Sequence, residues 1–408
     1  MRYQFTRDTK LFLLATLLYG FSFSVWELFF NLYILSLGFN NDMLGLIRSA
    51  TPTAALVLGL PLGLLSDRIG RRTSMLIGLT VGFLGMFMQV RLLNPILIFI
   101  FGLVQGAGIM LFTVSGPPFI MAASKKENQA MIFSLHFGLL TLAFMIGNLV
   151  AGQLPGFVES WLGISQNSAE SYQWVITAGI ILASTALIPT FLIKEHKENG
   201  SNRKTPVSIR KLIRKLANRP VVRQLALINL ITGFGAAILI PYLNVFLRSK
   251  FDISDNLLGL IFSLASLMVF TGSMITPWLV KVTHSRIIPT VATQGTSILF
   301  LFTLGFSPFL WLAAVSLLLR NVLMQMSSPL IENFAMLVSE PEEQGAISSV
   351  RGIGWQAGQA VGIFVSGLVQ TRFGFSPLFI TTGILYILST FLTWVYFRPK
   401  EKEMSHAG

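Results

Sequence analysis

The sequence predicts an all-α membrane protein: twelve transmembrane helices in two pseudo-symmetric six-helix bundles. Three observations carry this prediction. First, the chain is 53% hydrophobic and only 12% charged, with a mean hydropathy of +0.69, whereas soluble domains hold about twice that share of charge. Second, apolar stretches of spanning length recur from end to end. Third, the two halves flanking one central hydrophilic stretch repeat each other.

Taken in order, Met1 to Lys10 is short and basic, with Arg2, Arg7 and Lys10 against Asp8. The apolar run behind it continues to Leu37, beyond a signal-peptide h-region and without a small-x-small cleavage site. It is a retained first span. Further spans follow at 43–66, 74–93, 95–123, 129–154, 172–193, 221–248, 256–280, 286–306, 308–339, 345–371 and 375–397. The fourth and tenth exceed the ~20 residues a bilayer requires and must tilt or project. Pro52, Pro61, Pro117, Pro118, Pro241, Pro277 and Pro329 interrupt spans, which predicts kinks there.

Residues 1–193 thus form an N-terminal bundle, 194–220 a cytoplasmic linker and 221–408 a C-terminal bundle. In the linker, Ile209, Leu212, Ile213 and Leu216 fall at i, i+3, i+4 and i+7. Arg210, Lys211, Arg214 and Lys215 occupy the other face. This pattern predicts a basic amphipathic helix in the headgroup layer. Across the linker, Leu44-Gly45-Leu46-Ile47-x-Ser49 matches Leu258-Gly259-Leu260-Ile261-x-Ser263. Glu127-x-Gln129 through Gly152 matches Glu342-x-Gln344 through Gly367, with Gly147 and Gly362 in register. Asn31 matches Asn244.

The basic residues fall on one side. Arg2, Arg7, Lys10, Arg68, Arg71, Arg72, Lys125, Lys126, Lys281, Arg286, Arg398, Lys400 and Lys402 share a face with the linker. Arg91, Arg248, Lys250 and Arg372 lie opposite. Both termini are therefore expected in the cytoplasm, with the chain multi-pass in a prokaryotic plasma membrane. The net charge of +13 then meets anionic headgroups rather than nucleic acid. The chain has no cysteine, which excludes disulfide and metal–thiolate chemistry. It has no G-x-x-x-x-G-K-[ST], H-E-x-x-H or G-x-S-x-G, so neither a nucleotide-driven pump nor a hydrolase of those kinds is expected, and no cofactor or metal.

Between the second and third spans stands Gly63-Leu-Leu-Ser-Asp67-Arg68-Ile-Gly70-Arg71-Arg72. A turn with four charges cannot sit in hydrocarbon, and Gly70 supplies the free φ of a sharp reversal. The pattern resembles the signature loop of the major facilitator superfamily, and the resemblance extends over nearly the whole chain. It implies two six-helix bundles with a small-molecule site near the midplane between them. It also implies a cytoplasmic switch. Asp67 would meet the N-terminus of span 11, where Arg351 lies, Arg68 or Arg71 would pair with Glu127, and Gly63 would let helices close. Lys281 stands where the second half would need an aspartate, so the switch is expected on one side only.

Two further stretches resemble drug-efflux members of that superfamily. Gly138-x8-Gly147-Asn148-Leu-Val-Ala151-Gly152 approaches the antiporter motif G-x8-G-P-x-x-G-G. Gln105-Gly106-x-Gly108 approaches R-x-x-Q-G-x-G, with Gly102 in place of the arginine.

Ionisable side chains inside spans are expensive and mark function. Glu27 in span 1 and Arg320 in span 10 are the principal candidates. Glu27 pairs either with Arg320 or with Arg48 of the next span, and Arg48 is also near enough to its helix end to snorkel. Glu332 lies close to the cytoplasm. Trp26, Asn31, Asn244 and Gln105 complete the substrate and coupling candidates. The expected activity is alternating-access transport of a small molecule by a monomer, specifically efflux of amphipathic or aromatic compounds against protons. The alternatives are a facilitator or symporter for a small metabolite, or a non-transporting receptor.

Overall fold

The computed structural model describes residues 5–124, 126–194, 219–338 and 344–407. The amphipathic stretch Ile209 to Leu216 and the Glu127 side chain lie outside what it describes. Among the described residues, fourteen α-helical pieces run in order: α1 (Arg7–Ser36), α2 (Asn41–Ile69), α3 (Arg71–Gln89), α4 (Pro95–Ala123), α5 (Lys126–Leu162), α6 (Ala169–Ser184), α7 (Leu187–Leu192), α8 (Pro220–Ala237), α9 (Leu243–Phe251), α10 (Asp255–Thr283), α11 (Ile287–Phe306), α12 (Leu310–Leu337), α13 (Gln344–Phe373) and α14 (Ser376–Ala407). The sixth span is α6 with α7, and the seventh is α8 with α9, so these pieces make the twelve predicted spans. A 3₁₀ turn, Ile240–Tyr242, joins α8 to α9. Pro241 sits in it and breaks the span where the sequence predicts a kink.

Ten of these stretches are long and apolar enough to cross a membrane on length and composition alone. The other two, α3 and α13, trade hydropathy for close packing. A Cβ at Gly78 or Gly85 of α3 would meet α4 backbone, Phe112 N at 2.7 Å and Gln105 N at 2.6 Å. A Cβ at Gly358 of α13 would meet Phe234 N of α8 at 2.5 Å. Without a hydrophobic drive between helices in lipid, such backbone proximity is what holds a bundle together.

By packing, the chain divides into two units. One comprises Met1–Ser201 with Tyr242–Ser266, the other Asn202–Pro241 with Leu267–Gly408. The boundary follows the linker but also crosses the seventh span at Pro241 and runs through α10. The sequence repeat assigns α9 and the start of α10 to the second half; their packing assigns them to the first unit.

In the first unit α1 packs on α5 and α6, and α4 on α2 and α3. In the second, α8 packs on α13 and α14, and α11 on α12 and α14. First with fifth, third with fourth, seventh with eleventh, ninth with tenth: corresponding spans make corresponding pairs. The second unit has an apolar core around Phe334, Phe397, Leu225 and Ile287. Its α11 is capped from a distance. The buried Glu401 carboxylate of α14 accepts from the backbone N–H groups of Arg286 and Ile287 and from Ser285 Oγ at 2.6 Å, and pairs with Arg398 at 2.8 Å. A carboxylate at a helix N-terminus satisfies free donors and complements the helix dipole.

Candidate functional site

In the first unit Glu27 of α1 meets Arg48 of α2. Nη1 donates to Oε1 at 3.2 Å and Nη2 to Oε2 at 2.8 Å, a two-pronged fork. Of the two partners the sequence allows for Glu27, the structure has Arg48. The arginine does not snorkel: its side chain is only 12% exposed, whereas that of Glu27 is 36% exposed. Tyr19 lies within electrostatic reach of Glu27, and Tyr242 within reach of Arg48. Trp26 stacks on Phe30 at 4.0 Å and is buried, and Tyr19 stacks on Phe23. Trp26 and Phe30 are buried, and Tyr19 and Phe23 are half-buried.

A second polar group in this unit joins α9 and α10 to α1 and to the α5–α6 corner. Asn31 Nδ2 donates to Asn244 Oδ1 at 3.0 Å, and Asn244 Nδ2 donates to Leu28 O at 2.8 Å. Nearer the end that the charge distribution assigns to the outside, Arg248 pairs with Asp255. Arg248 also donates to Tyr172 Oη at 2.9 Å and to Asn167 Oδ1 at 2.7 Å. Tyr172 Oη donates to Asp255 at 3.2 Å. Beside this network α5 and α10 cross backbone to backbone: a Cβ at Gly259 would lie 2.7 Å from Gly152 Cα.

In the second unit Arg320 of α12 is 4% exposed. Its Nη1 donates to Asn321 Oδ1 and its Nη2 to Tyr386 Oη of α14, each at 3.0 Å. Beside Tyr386 lies a small polar gap, with no room for a water molecule, lined by Thr232, Gln294, Met324, Ser389 and Thr390. Gln294 spans it, donating to Ser327 Oγ at 3.1 Å and accepting from Thr390 Oγ1 at 3.3 Å. Arg351 Nη1 lies 3.6 Å from Glu332 Oε1, and the Glu332 side chain is largely exposed.

The charged turn is held locally. Gly70 has φ +93° and links α2 to α3, and Ser74 Oγ donates to Gly70 O at 2.7 Å. Asp67 pairs with Arg71, one turn on. Arg71 Nη1 also donates to Ser66 Oγ at 3.0 Å, and Ser66 meets Ser115 of α4 at 2.8 Å. Arg72 donates to Phe191 O at 2.6 Å and lies over the Phe191 ring. Arg68 is exposed. A Cβ at Gly63 would meet no atom within 4 Å, so no described packing requires glycine there.

The profile of the Major Facilitator Superfamily matches residues 12–362 and 225–408. The chain belongs to this superfamily. It is a multi-pass membrane transporter and not an enzyme. A multidrug resistance protein, MdtG of Dickeya zeae (strain Ech586), is 24% identical over 392 residues, 93% of this chain and 92% of that protein. A bacterial homologue of the human lysosomal transporter Spinster, inward-facing and occupied, shares the fold with a TM-score of 0.75 at 13% identity, covering 96% of each chain. The nucleoside transporter NupG does so with 0.73 at 14% identity, over 96% of this chain and 99% of the other.

Two superfamily motifs take on a packing role in this member. Gln105 accepts from Gln89 Nε2 of α3 at 2.7 Å. A Cβ at Gly106 would meet Thr51 of α2, and one at Gly108 would meet Gly82 of α3. The missing arginine has a physical reason: a Cβ at Gly102 would already lie 2.7 Å from Ala50 Cβ. Likewise Gly147 faces Ser24 of α1 and Gly152 faces Gly259 of α10.

The sequence reading missed Tyr172, Asp255 and Tyr386. Asp255 and Arg248 flank a short loop, and two opposite charges there were the available signal. Nothing in the sequence distinguishes Tyr386 from a packing aromatic.

Proposed function

We propose that this transporter exports amphipathic or aromatic small molecules across the cytoplasmic membrane in exchange for protons, with Glu27 as the proton-carrying group. The observation that carries this reading is the Glu27–Arg48 fork: a carboxylate within a span, charge-paired yet partly open, beside stacked aromatics. Intramembrane carboxylates recur as proton relays, and proton binding to Glu27 would release Arg48. The likeness to a multidrug resistance protein over 93% of the chain supports the direction and the substrate type. The Arg248–Asp255–Tyr172 network would tie the outer end, and Asp67 would bias the cytoplasmic end, in opposite phases of the cycle.

The test is transport by purified protein in lipid vesicles, using aromatic fluorophores of negative, zero and positive charge. An imposed pH gradient should drive at least one of them against its own gradient. A protonophore and Glu27→Gln should each abolish that movement. Equal movement with and without the gradient would make the protein a facilitator. Movement in the same direction as the protons would make it a symporter. No movement of any compound would overturn aromatic compounds as the substrates.

A further inference from the structure

Within the second unit no described carboxylate pairs with Arg320. This cation is the eleventh residue of the 28-residue α12, about 15 Å from that helix end at ~1.5 Å per residue. It is almost wholly buried and too deep to reach headgroups. A guanidinium has five N–H donors. Two are spent, on the neutral acceptors Asn321 Oδ1 and Tyr386 Oη. Nε has no partner among the described residues. With the second hydrogen of a terminal nitrogen it forms the side-on fork that fits a carboxylate. Tyr386, having accepted from Arg320, retains its own O–H to donate, and Asn321 retains its amide N–H groups. The cluster therefore offers several free donors and a net charge of +1. Within the first unit Arg48 holds both oxygens of Glu27.

A buried charge is tolerated when it is paired and hydrogen-bonded. We infer that Arg320, with Tyr386 and Asn321, binds an anionic group of the transported molecule, so that the substrates are amphipathic organic anions, with carboxylates fitting best. The assignment rests on the transporter reading above and narrows its substrate class. Arg320 is the charge-selecting residue, and Tyr386 and Asn321 orient it.

Three probes on one aromatic frame test this: 2-naphthoate, 2-naphthamide and 2-naphthylmethylammonium. Binding to purified full-length protein is measured by calorimetry and by thermal shift. The naphthoate should bind at least tenfold more tightly than the other two. Arg320→Gln should erase that preference, Arg320→Lys should retain part of it, and Tyr386→Phe should weaken naphthoate alone by several-fold. The two conservative variants decide the matter if Arg320→Gln does not fold. Absence of naphthoate binding, equal binding of all three probes, preference for the ammonium, or a preference unchanged by these variants would overturn the assignment. Proton-driven movement of the amide or ammonium, without Arg320-dependent anion binding, would sink this inference and leave the export reading intact. Arg320-dependent naphthoate binding without any proton-driven transport would do the reverse.

Discussion

Asn31 and Asn244 occupy equivalent places in the two sequence repeats and hydrogen-bond to each other, with Asn31 Nδ2 donating to Asn244 Oδ1 at 3.0 Å. Both are buried. The second asparagine also caps the chain locally, accepting from Val245 N. Side-chain bonds between spans are worth ~0.6 kcal/mol on average and up to ~1.7. A double-mutant cycle of Asn31→Ala and Asn244→Ala, read by unfolding in detergent, should give a coupling in that range. Purely additive losses would mean the bond contributes nothing to stability.

Arg48→Met should destabilise the protein by stranding the Glu27 carboxylate. A fully buried pair broken on one side loses ~3–5 kcal/mol, and the partial exposure of Glu27 places the expected loss below that. Glu27→Gln should be milder, and the double variant should recover part of the Arg48→Met loss. Thermal unfolding of the three variants checks the order.

Gly102→Arg restores the arginine of the R-x-x-Q-G-x-G pattern in name only. Its Cβ would collide with Ala50 Cβ, and overpacking of this kind costs ~1–3 kcal/mol or more. Even Gly102→Ala should lower the unfolding temperature, and Ala50→Gly should rescue it. A gain of proton coupling in Gly102→Arg would contradict the packing account.

Asp255→Asn should loosen the corner formed by α5, α6, α9 and α10. It removes the charge that Arg248 and Tyr172 both address. A cysteine at position 257, next to Asn256, the partner of Gln153, should then react faster with a water-soluble thiol reagent. The cysteine-free background makes the readout specific. An unchanged rate would show that the network does not hold this end.

Asp67→Asn should slow turnover while leaving substrate binding intact, and should alter the distance distribution between labels at the ends of α2 and α13. If that distribution stays as in the parent protein, the turn is a static corner held by Arg71 and Ser66 and not a switch.

The span architecture was legible because hydropathy, loop charge and repeat register each report it locally. Gly70 was legible for the same reason: a sharp reversal between two helices demands its φ. Partnerships across helices were not. The Asn31/Asn244 match states equivalence, and nothing in it says that the two touch. Arg48 looked like a snorkelling residue because distance to a helix end ignores which face the helix presents. Tyr386 lies 66 positions from Arg320 in an otherwise apolar run. The grouping of Tyr242–Ser266 with the first unit was hidden because repeat symmetry describes descent, whereas packing describes contact.

Glu401 reaches the start of α11 from 115 positions further along the chain, and this has a consequence for the order of assembly. The chain is synthesised and inserted from its N-terminus. When the ninth span enters the bilayer, the carboxylate that satisfies its first amides does not yet exist. That end waits, exposed to water or to the insertion machinery, until the twelfth span has been made. The cap on α11 therefore forms last, and a chain truncated before residue 401 leaves the first amides of that helix unanchored.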